Sequence, residues 1–332
     1  MSAQNSAHPT QPPWDLNRVG IIGAGAMGTS LAAIIGQKVP TVLVCRNPRR
    51  AAELFEHSAV TTGLIRASSR PIIVSCIADL ATIGGVSVLF VATKTTAIPS
   101  VAAELKPLLA EVSDHPEGLF IVSYQNGIEP GRQLLALLEY PRVLRMVLNF
   151  GATMRDHRAV DITLNAPPHH IGTVDQAFEP ICRQVAQVLS DAGLETNYDA
   201  DIEQHVWAKS VINASMNPVA ALVNSPVGQV LDSPARIIVD KLLREGIAVA
   251  QAQGRDLGGE AFLKRAYEVL QKAECHTPSM VEDIRSGRES EVGQLNRQIL
   301  DHGRRLGVPT PTHEVIDALI ETFDWKIYAI RY

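Results

Sequence analysis

The chain has 332 residues, of which 46% are hydrophobic and 20% are charged, and its formal net charge is −5. This length leaves room for two domains with sizeable cores, and the composition is that of an ordinary globular protein. The negative net charge offers no basic surface for nucleic acid, and no apolar run is long enough to cross a membrane.

Residues 1–17 are polar and contain three prolines, and they lack the apolar core of a signal peptide. We expect a disordered tail here. The four cysteines are scattered without a C-x-x-C pair, which is typical of reduced thiols and predicts a cytoplasmic protein. His169-His170 is the only histidine pair, and no carboxylate or cysteine stands at ligand spacing around it, so we predict no metal site.

A short apolar strand at residues 18–23 leads directly into a G-x-G-x-x-G sequence, and a helix-like stretch follows. In this context the first glycine allows a tight turn, the second lets the backbone approach a pyrophosphate, and the third lets the helix pack against the strand. The start of the helix also offers free N–H groups to an anion. The sequence therefore predicts a dinucleotide-binding loop made of Gly23, Ala24, Gly25, Ala26, Met27 and Gly28.

The second strand, residues 41–45, ends in Arg46-Asn47-Pro48-Arg49-Arg50. Sites that prefer NAD usually carry an acidic residue here, which bonds the ribose 2′-hydroxyl. Three arginines without an acid favour a 2′-phosphate instead, and therefore NADPH, with Arg46 as its main contact.

Strands and helices continue to alternate as far as residue 199, which predicts a parallel, doubly wound sheet. Among the later strands, residues 142–150 are expected to form a single one. Lys94 and Asn126 each follow a buried strand. Taken singly, Lys94 could be a surface lysine and Asn126-Gly127 a simple turn. Because ligands bind beyond the carboxyl ends of such strands, we expect both residues near the cofactor.

From residue 200 to residue 332 the pattern changes to helices only. Asp201 and Gln204 resemble a capping box that opens the first helix, and Pro218 is expected to end it. Another helix is expected at residues 289–306. The predicted fold is therefore an α/β Rossmann-type domain over residues 18–199, followed by an all-helical domain over residues 200–332.

On the first of these helices Lys209, Asn213 and Asn217 form one polar stripe at i, i+4 and i+8. The stripe could face solvent, but so little else on the helix is polar that we place it in a wet functional cleft. Ser279 is a candidate N-cap with Glu282 three residues on, and it could also bind a carboxylate. Glu291 is aligned with apolar residues at i+4 steps, either at the edge of a solvated face or as a partner of Lys209.

These residues resemble the ketopantoate reductase (2-dehydropantoate 2-reductase) family over nearly all of residues 18–325. The order and spacing of the matching set are far more specific than the glycine motif alone. The set comprises Gly23-x-Gly25-x-x-Gly28, Arg46, Lys94, Gln125-Asn126-Gly127, Trp207-x-Lys209-x-x-x-Asn213-x-x-x-Asn217-Pro218, Ser279-Met280-x-x-Asp283 and Glu291-x-x-x-x-Asn296.

The resemblance implies NADPH-dependent reduction of 2-dehydropantoate to (R)-pantoate, on the pathway to pantothenate and coenzyme A. It implies Lys209 as the general acid with Glu291 beside it. It also implies a cleft between the two domains and is compatible with a homodimer through the helical domain. It further implies that Asn213 and Asn217 bind oxygen atoms of the substrate and that Ser279 binds its carboxylate. Asn126 and Lys94 would lie where the nicotinamide meets the substrate.

The chain departs from the family at residues 165–170, where Asn-Ala-Pro-Pro-His-His replaces a glycine-rich stretch. One alternative is therefore reduction of another 2-oxo acid, by a D-2-hydroxy-acid dehydrogenase on the same scaffold. A relative of glycerol-3-phosphate dehydrogenase fits less well, because the asparagine stripe and Ser279 favour a hydroxylated carboxylate over a phosphorylated substrate. A non-catalytic NADPH-binding regulator should have lost part of the lysine, asparagine and glutamate set, which this chain retains.

Overall fold

A computed structural model describes residues 16–115 and 118–329. Most of the predicted tail, residues 1–15, lies outside the described residues. Its last two residues belong to the packed structure: Leu16 packs against the core, and the Asn17 amide donates to Ser87 Oγ at 3.1 Å. The packed structure therefore includes two residues ahead of the predicted start of the Rossmann domain.

The strands of the described chain form two sheets. The larger has eight strands in the order β12-β11-β8-β7-β6-β1-β2-β5, and the smaller has four in the order β4-β3-β10-β9. The strands are β1 Val19–Ile22, β2 Thr41–Val44, β3 Ala59–Gly63, β4 Ala67–Ser69, β5 Ile72–Val74, β6 Val88–Val91, β7 Phe120–Ser123, β8 Val143–Val147, β9 Phe150–Met154, β10 Ala159–Asn165, β11 His169–Gly172 and β12 Thr196–Tyr198.

The larger sheet is mixed: the predicted parallel, doubly wound arrangement is confirmed for six of its eight strands, and the other two run in the opposite direction. Strands β5, β2, β1, β6, β7 and β8 run parallel, but β11 is antiparallel to β8, and β12 follows the direction of β11. Parallel neighbours need a crossover connection, commonly a helix. Between β8 and β11 the chain instead passes through β9 and β10 of the smaller sheet and returns in the opposite direction.

The single strand predicted over residues 142–150 is two strands in different sheets, because β8 ends at Val147 and β9 begins at Phe150. Asn149 fixes the break: its backbone amide donates to His169 Nδ1 at 3.1 Å, and its side-chain amide donates to the Pro168 carbonyl at 3.1 Å. The carbonyl of Leu148 is thereby left outside the strand ladder.

Among the described residues, six helices accompany the sheets and seven follow them, which confirms the predicted order of an α/β part and a helical part. The boundary at residues 199 and 200 remains a prediction. No helix of the described chain combines the length and apolarity of a membrane span. The helices are α1 Ala26–Ile35, α2 Pro48–Glu56, α3 Asp79–Thr82, α4 Ile98–Leu105, α5 Pro130–Leu138, α6 Glu179–Asp191, α7 Ile202–Val223, α8 Val227–Leu231, α9 Arg236–Ala252, α10 Gly259–Lys272, α11 Ser279–Arg285, α12 Asn296–Leu306 and α13 Pro311–Ala329.

Helix α7 does not end at Pro218 but continues to Val223, so the predicted end was wrong. A proline inside a helix leaves the carbonyl four residues earlier without its N–H donor. Here that carbonyl belongs to Ala214, and the side-chain amide of Asn296 donates to it at 2.9 Å. At the other end Asp201 is the N-cap residue, but its side chain makes no capping bond, so the predicted capping box does not form.

The predicted helix over residues 289–306 begins only at Asn296, because the backbone of Leu295 (φ −117°, ψ −86°) is not helical. Glu291 lies before a short 3₁₀ turn and therefore not on the apolar face that the i+4 spacing indicated. Ser279 is the first residue of α11, after Pro278, and its side chain does not cap that helix. The side chains of Glu291 and Ser279 therefore do not serve as a helix-face residue and a helix cap, respectively.

Candidate active site

The glycine loop between β1 and α1 has the shape of a dinucleotide cradle. Gly23 has φ +104°, a conformation that favours glycine, and a Cβ on Gly28 would overlap the Gly23 carbonyl. A Cβ on Gly25 would meet nothing within 4 Å, so the backbone there is open to an approaching ligand. No side chain caps the first amides of α1, which leaves them available to an anion. The loop fits the pyrophosphate of a dinucleotide.

Two arginines after β2 have different surroundings. Arg46 is exposed and forms an ion pair with Glu104, whose other carboxylate oxygen accepts from the Ile77 amide at 3.1 Å. Arg50 turns back and donates to the carbonyl of Ala24 at 2.6 Å, inside the glycine loop. The structure thus puts Arg46 at the edge where it was expected, and it adds Arg50 as a brace for the loop.

Lys209 is only partly exposed, and its ammonium donates to the Leu148 carbonyl at 2.6 Å, just beyond the end of β8. The pKa of Lys209 is lowered to about 8 as the net result of three effects: burial lowers it most, the positive charge of Arg145 also lowers it, and the Glu291 carboxylate opposes both. A lysine with this pKa holds a proton at neutral pH and releases it more readily than an ordinary lysine.

A chain of amides links the polar stripe of α7 to the edge of the sheet. The side-chain amide of Asn213 donates to Asn126 Oδ1 at 3.4 Å, and that of Asn126 donates to Glu291 Oε2, also at 3.4 Å. Both bonds are long. They show that Asn213 faces the carboxyl end of β7, so the stripe is not an ordinary solvent face.

Glu291 is held by Thr95, whose backbone amide and hydroxyl donate to Glu291 Oε1 at 3.2 and 3.0 Å. Both Glu291 and Lys209 lie in the described chain, and no ion pair within 4.0 Å joins them. The family resemblance implied that Glu291 lies beside Lys209. In the structure the Glu291 carboxylate raises the pKa of Lys209 through its charge, without contacting the ammonium.

Lys94 contacts the helical part of the chain. Its ammonium lies 2.9 Å from Asp283 Oδ1 and donates to the Glu289 carbonyl at 2.9 Å. Ser279, on the same helix as Asp283, is exposed. Within the described chain neither Ser279 nor Asn217 forms a side-chain hydrogen bond, so the structure leaves both available to a ligand without bringing them into contact with Lys209.

Three residues of the site were not predicted: Thr95, Arg145 and Gln298. Gln298 Oε1 accepts from the amides of Ile128 and Glu129 at 2.8 and 3.1 Å and so anchors the chain just after Asn126. Arg145 is buried inside β8. In the sequence, the only sign of a special role for Arg145 was its charge within an otherwise apolar strand. That sign did not indicate which groups Arg145 would contact.

Next to residues 165–170, Gly151 of β9 and His276 are closely packed. A Cβ added to Gly151 in β9 would lie 2.5 Å from the ring of His276. That ring is 3.0 Å from the Thr163 hydroxyl through its Nδ1, and burial lowers its pKa. The histidine therefore occupies the space that a side chain at position 151 would need.

The sequence indicated no carboxylate near the histidine pair, but the structure places one close to His170. The rings of His170 and His205 are stacked with centroids 3.5 Å apart and an interplanar angle of 14°, and His205 Nε2 lies 2.8 Å from Asp199 Oδ2. The three side chains can bring ligand atoms within 4.8 Å of one another. Near-parallel rings argue against one ion lying in both ring planes, and the absence of a metal site remains a prediction.

A glycine-rich strand-to-helix loop opposite a helix that presents a lysine and asparagines is typical of dinucleotide-dependent oxidoreductases. Comparison with protein-family models narrows this class. The model described as "Ketopantoate reductase PanE/ApbA" matches residues 19–176, and "Ketopantoate reductase PanE/ApbA C terminal" matches residues 201–323. The chain belongs to the ketopantoate reductase family.

Individual relatives agree. A 2-dehydropantoate 2-reductase of Archaeoglobus fulgidus is 26% identical over 313 residues, covering 92% of this chain and 97% of that protein. A PanE/ApbA family ketopantoate reductase from Ralstonia eutropha JMP134 has a similar structure (TM-score 0.80, 22% identity, 94% of this chain and 99% of that one). So does a D-mandelate dehydrogenase solved with NADH and anilino(oxo)acetate (TM-score 0.82, 17% identity, the same coverage). At these identities the two structures show the fold alone.

Proposed function

We propose that the protein reduces a 2-oxo acid with NADPH, and that this acid is 2-dehydropantoate, which becomes (R)-pantoate. The observation that carries the proposal is the state of Lys209: a partly buried ammonium with a pKa of about 8, at the edge of the sheet where the Asn126 loop meets α7. Family membership supplies the substrate class.

Lys209 acts as the general acid. When bound, the reduced nicotinamide supplies a hydride to the keto carbon of the substrate, and the keto oxygen gains negative charge. Lys209 stabilises this charge and transfers one proton from Nζ to the oxygen, which leaves a neutral amine and a hydroxyl group. The Leu148 carbonyl holds the ammonium in place, and the Glu291 carboxylate favours its protonated form before the transfer.

The polar residues around Lys209 suit a hydroxylated carboxylate. Amides of Asn213 and Asn217 can both donate and accept, which matches hydroxyl and carbonyl groups. Ser279 stands at the start of α11 with a free hydroxyl and would receive the substrate carboxylate. Because Asn217 and Ser279 have no side-chain partner within the described chain, binding a substrate breaks no existing bond there.

The arginines after β2 support NADPH over NADH. A 2′-phosphate would displace Glu104 from Arg46 and gain a charge-assisted bond, whereas a 2′-hydroxyl could not compete with the carboxylate. The D-mandelate dehydrogenase of similar fold was solved with NADH, so both cofactors need to be compared directly.

A second candidate is reduction of a different 2-oxo acid by the same chemistry. The observation that favours it is the close contact between Gly151 and His276, next to the stretch at residues 165–170 where the chain departs from its family. A substrate pocket bordered by this stretch would accept a different side chain of the acid, while Lys209 and the asparagines stay in place.

The test is the loss of NADPH or NADH absorbance with purified protein and a panel of acids: 2-dehydropantoate, pyruvate, 2-oxoisovalerate and phenylglyoxylate. We expect fast oxidation of NADPH with 2-dehydropantoate. Lys209→Ala should lower kcat by about a hundredfold or more, as loss of a general acid does, with little change in NADPH affinity. Lys264→Ala, an exposed lysine on α10, is the matched control.

The outcomes separate the alternatives. Preference for another acid would support the proposed mechanism but contradict a role in pantothenate synthesis. Near-normal turnover of Lys209→Ala would refute the role of Lys209. Tight NADPH binding without oxidation by any acid would favour a regulator. Homodimer formation and a cytoplasmic location also remain predictions, which sizing chromatography and cell fractionation test.

A further inference from the structure

Within the described chain the side chain of Arg145 bonds only the end of β7 and the loop that follows it. From the middle of β8 its guanidinium donates to the carbonyls of Gly127 at 2.8 Å, Gln125 at 2.9 Å and Ser123 at 3.2 Å. The Ser123 hydroxyl, 3.4 Å from the same guanidinium, also donates to the side chain of Gln125 at 2.9 Å. One side chain therefore gathers the carbonyls of residues 123, 125 and 127.

This clamp has a direct consequence for Asn126. Its two neighbours turn their carbonyls inward to the guanidinium, while the Asn126 side chain contacts Asn213 and Glu291. Three N–H···O bonds from a planar, rigid fork fix the direction of this loop more strictly than a single donor could.

The guanidinium is also a buried charge without a counter-ion in contact. Arg145 is only 8% exposed, and within residues 16–115 and 118–329 no carboxylate oxygen lies within 4.0 Å of its nitrogens. Burial lowers its pKa to about 10, and Glu203 opposes this from a distance. The residue stays charged at neutral pH, although a buried, unpaired charge is unfavourable for folding.

The positive charge acts on Lys209. In the part of the chain that the structure describes, the charged and titratable groups coupled to this lysine are Arg145 from β8, Glu291 from the segment before α12, and His169 from β11, whose own pKa is lowered to about 4 by burial and by the charge of Lys209. His169 is therefore neutral at working pH. Arg145 and Glu291 remain as two opposite charges that act on Lys209.

We propose that Arg145 is a positioning residue of the active site: its guanidinium fixes the loop that carries Asn126, and its charge makes Lys209 a stronger proton donor. This assignment rests on the proposed function for its catalytic meaning. Its two physical claims, a held loop and a field at Lys209, can be measured without turnover.

Two substitutions separate the claims. Arg145→Gln removes the charge, and Arg145→Lys keeps a positive charge near neutral pH but loses the fork. The titration of Lys209 is followed by competitive acetylation with mass spectrometry. We expect half-labelling near pH 8 in the wild type, a rise of about one pH unit or more in Arg145→Gln, and a smaller rise in Arg145→Lys, because burial also lowers the pKa of the new lysine. Amide hydrogen exchange over residues 124–128 should be about tenfold faster or more in Arg145→Lys.

Turnover adds a second readout. The high-pH fall of kcat should move upward in Arg145→Gln with the labelling midpoint, while Arg145→Lys should raise KM for the acid and move the pH profile less. Arg183→Gln, an exposed arginine paired with Glu179 on α6, is the control and should change none of these quantities.

An unchanged Lys209 midpoint in folded Arg145→Gln overturns the proposal, and so does unchanged exchange of residues 124–128 in Arg145→Lys. If Arg145→Gln fails to fold, by circular dichroism, the exchange arm on Arg145→Lys still decides. A shifted midpoint in a protein that reduces none of the acids supports Arg145 while refuting the proposed function, so the two failures are distinguishable.

Discussion

The side-chain amide of Asn296 donates to the carbonyl of Ala214 at 2.9 Å, on the helix turn that Pro218 would otherwise leave unsatisfied. The same amide lies 3.1 Å from His313 Nδ1, so Asn296 joins α7, α12 and α13. Helix α7 therefore stays continuous where it carries Lys209, Asn213 and Asn217, and the spacing of these three side chains is set by one rigid element.

Removing this amide should destabilise the protein through the orphaned carbonyl. We expect Asn296→Ala to lower the free energy of unfolding by about 1–3 kcal/mol, because a buried acceptor loses its donor. Pro218→Ala restores a backbone N–H, so Asn296→Ala should be less destabilising in that background. Urea unfolding of the four proteins measures the coupling, with the exposed Asn197→Ala as control. Equal losses in both backgrounds would contradict the hydrogen-bond explanation.

Features that depend on neighbouring residues were predicted well from the sequence, and contacts between distant residues were predicted poorly. The strand before Gly23 and the glycine loop were recognised because each depends on neighbouring residues. The end of α7 was misplaced because the group that stabilises the turn at Pro218 is the side chain of Asn296, which is far away in the sequence. The direction of β11 was missed for a similar reason, since it depends on the path of the chain through β9 and β10.

The candidate site divides in the same way. The stripe of α7 was visible because helical periodicity places Lys209 and Asn213 on one face. Glu291 was assigned to a helix face, although the backbone of Leu295 breaks that helix. Arg145 could not be assigned a role from its own strand, because its hydrogen-bond acceptors are backbone carbonyls at the end of β7 and in the loop after it. Every residue has a backbone carbonyl, so the sequence cannot show which ones accept a hydrogen bond.

Glu291→Gln should shift the pH profile in the opposite direction to Arg145→Gln. The carboxylate raises the pKa of Lys209 against burial, so its loss should lower that pKa from about 8. Because reduction needs the protonated lysine, the fall of kcat with rising pH should begin at a lower pH than in the wild type. Steady-state rates from pH 6 to 10 check this, with the exposed Glu268→Gln as control. A profile that keeps its midpoint would remove Glu291 from the field at Lys209.

Arg46→Ala should weaken NADPH much more than NADH. The substitution removes a charge-assisted bond to the 2′-phosphate, so we expect KM for NADPH to rise about tenfold or more and KM for NADH to change little. Glu104→Gln, which releases Arg46 from its ion pair, should leave KM for NADPH equal or lower. Parallel kinetics with both cofactors give the answer, and the exposed Arg70→Ala serves as control. An equal effect on both cofactors would argue against the 2′-phosphate contact.

His313 should make the protein less stable in mild acid. It is fully buried as the neutral form, with Nε2–H donating to the Leu242 carbonyl at 3.1 Å, and burial lowers its pKa to about 4. Below about pH 6.5 the unfolded chain takes up this proton while the folded chain does not, so stability is lost as the pH falls towards 4. His313→Gln should remove up to roughly 2 kcal/mol of the loss between pH 7 and pH 5.

Urea unfolding at the two pH values measures that difference. His169 and His170, whose pKa values are also about 4, should keep part of the acid sensitivity in the variant. The exposed His57→Gln, on the turn after α2, provides the comparison. An acid-induced loss as large as that of the wild type would show that His313 is not a source of it.

The shared space of Gly151 and His276 constrains the order in which this protein can diverge. Because a Cβ at position 151 would lie 2.5 Å from the imidazole, an alanine there requires the His276 ring to move away from its contact with the Thr163 hydroxyl. A smaller residue at position 276 removes that conflict, so a side chain at position 151 is accommodated more easily once His276 has been replaced. Two positions distant in the sequence are therefore coupled, and a library that randomises both together should accept more residues at position 151 than one that randomises position 151 alone.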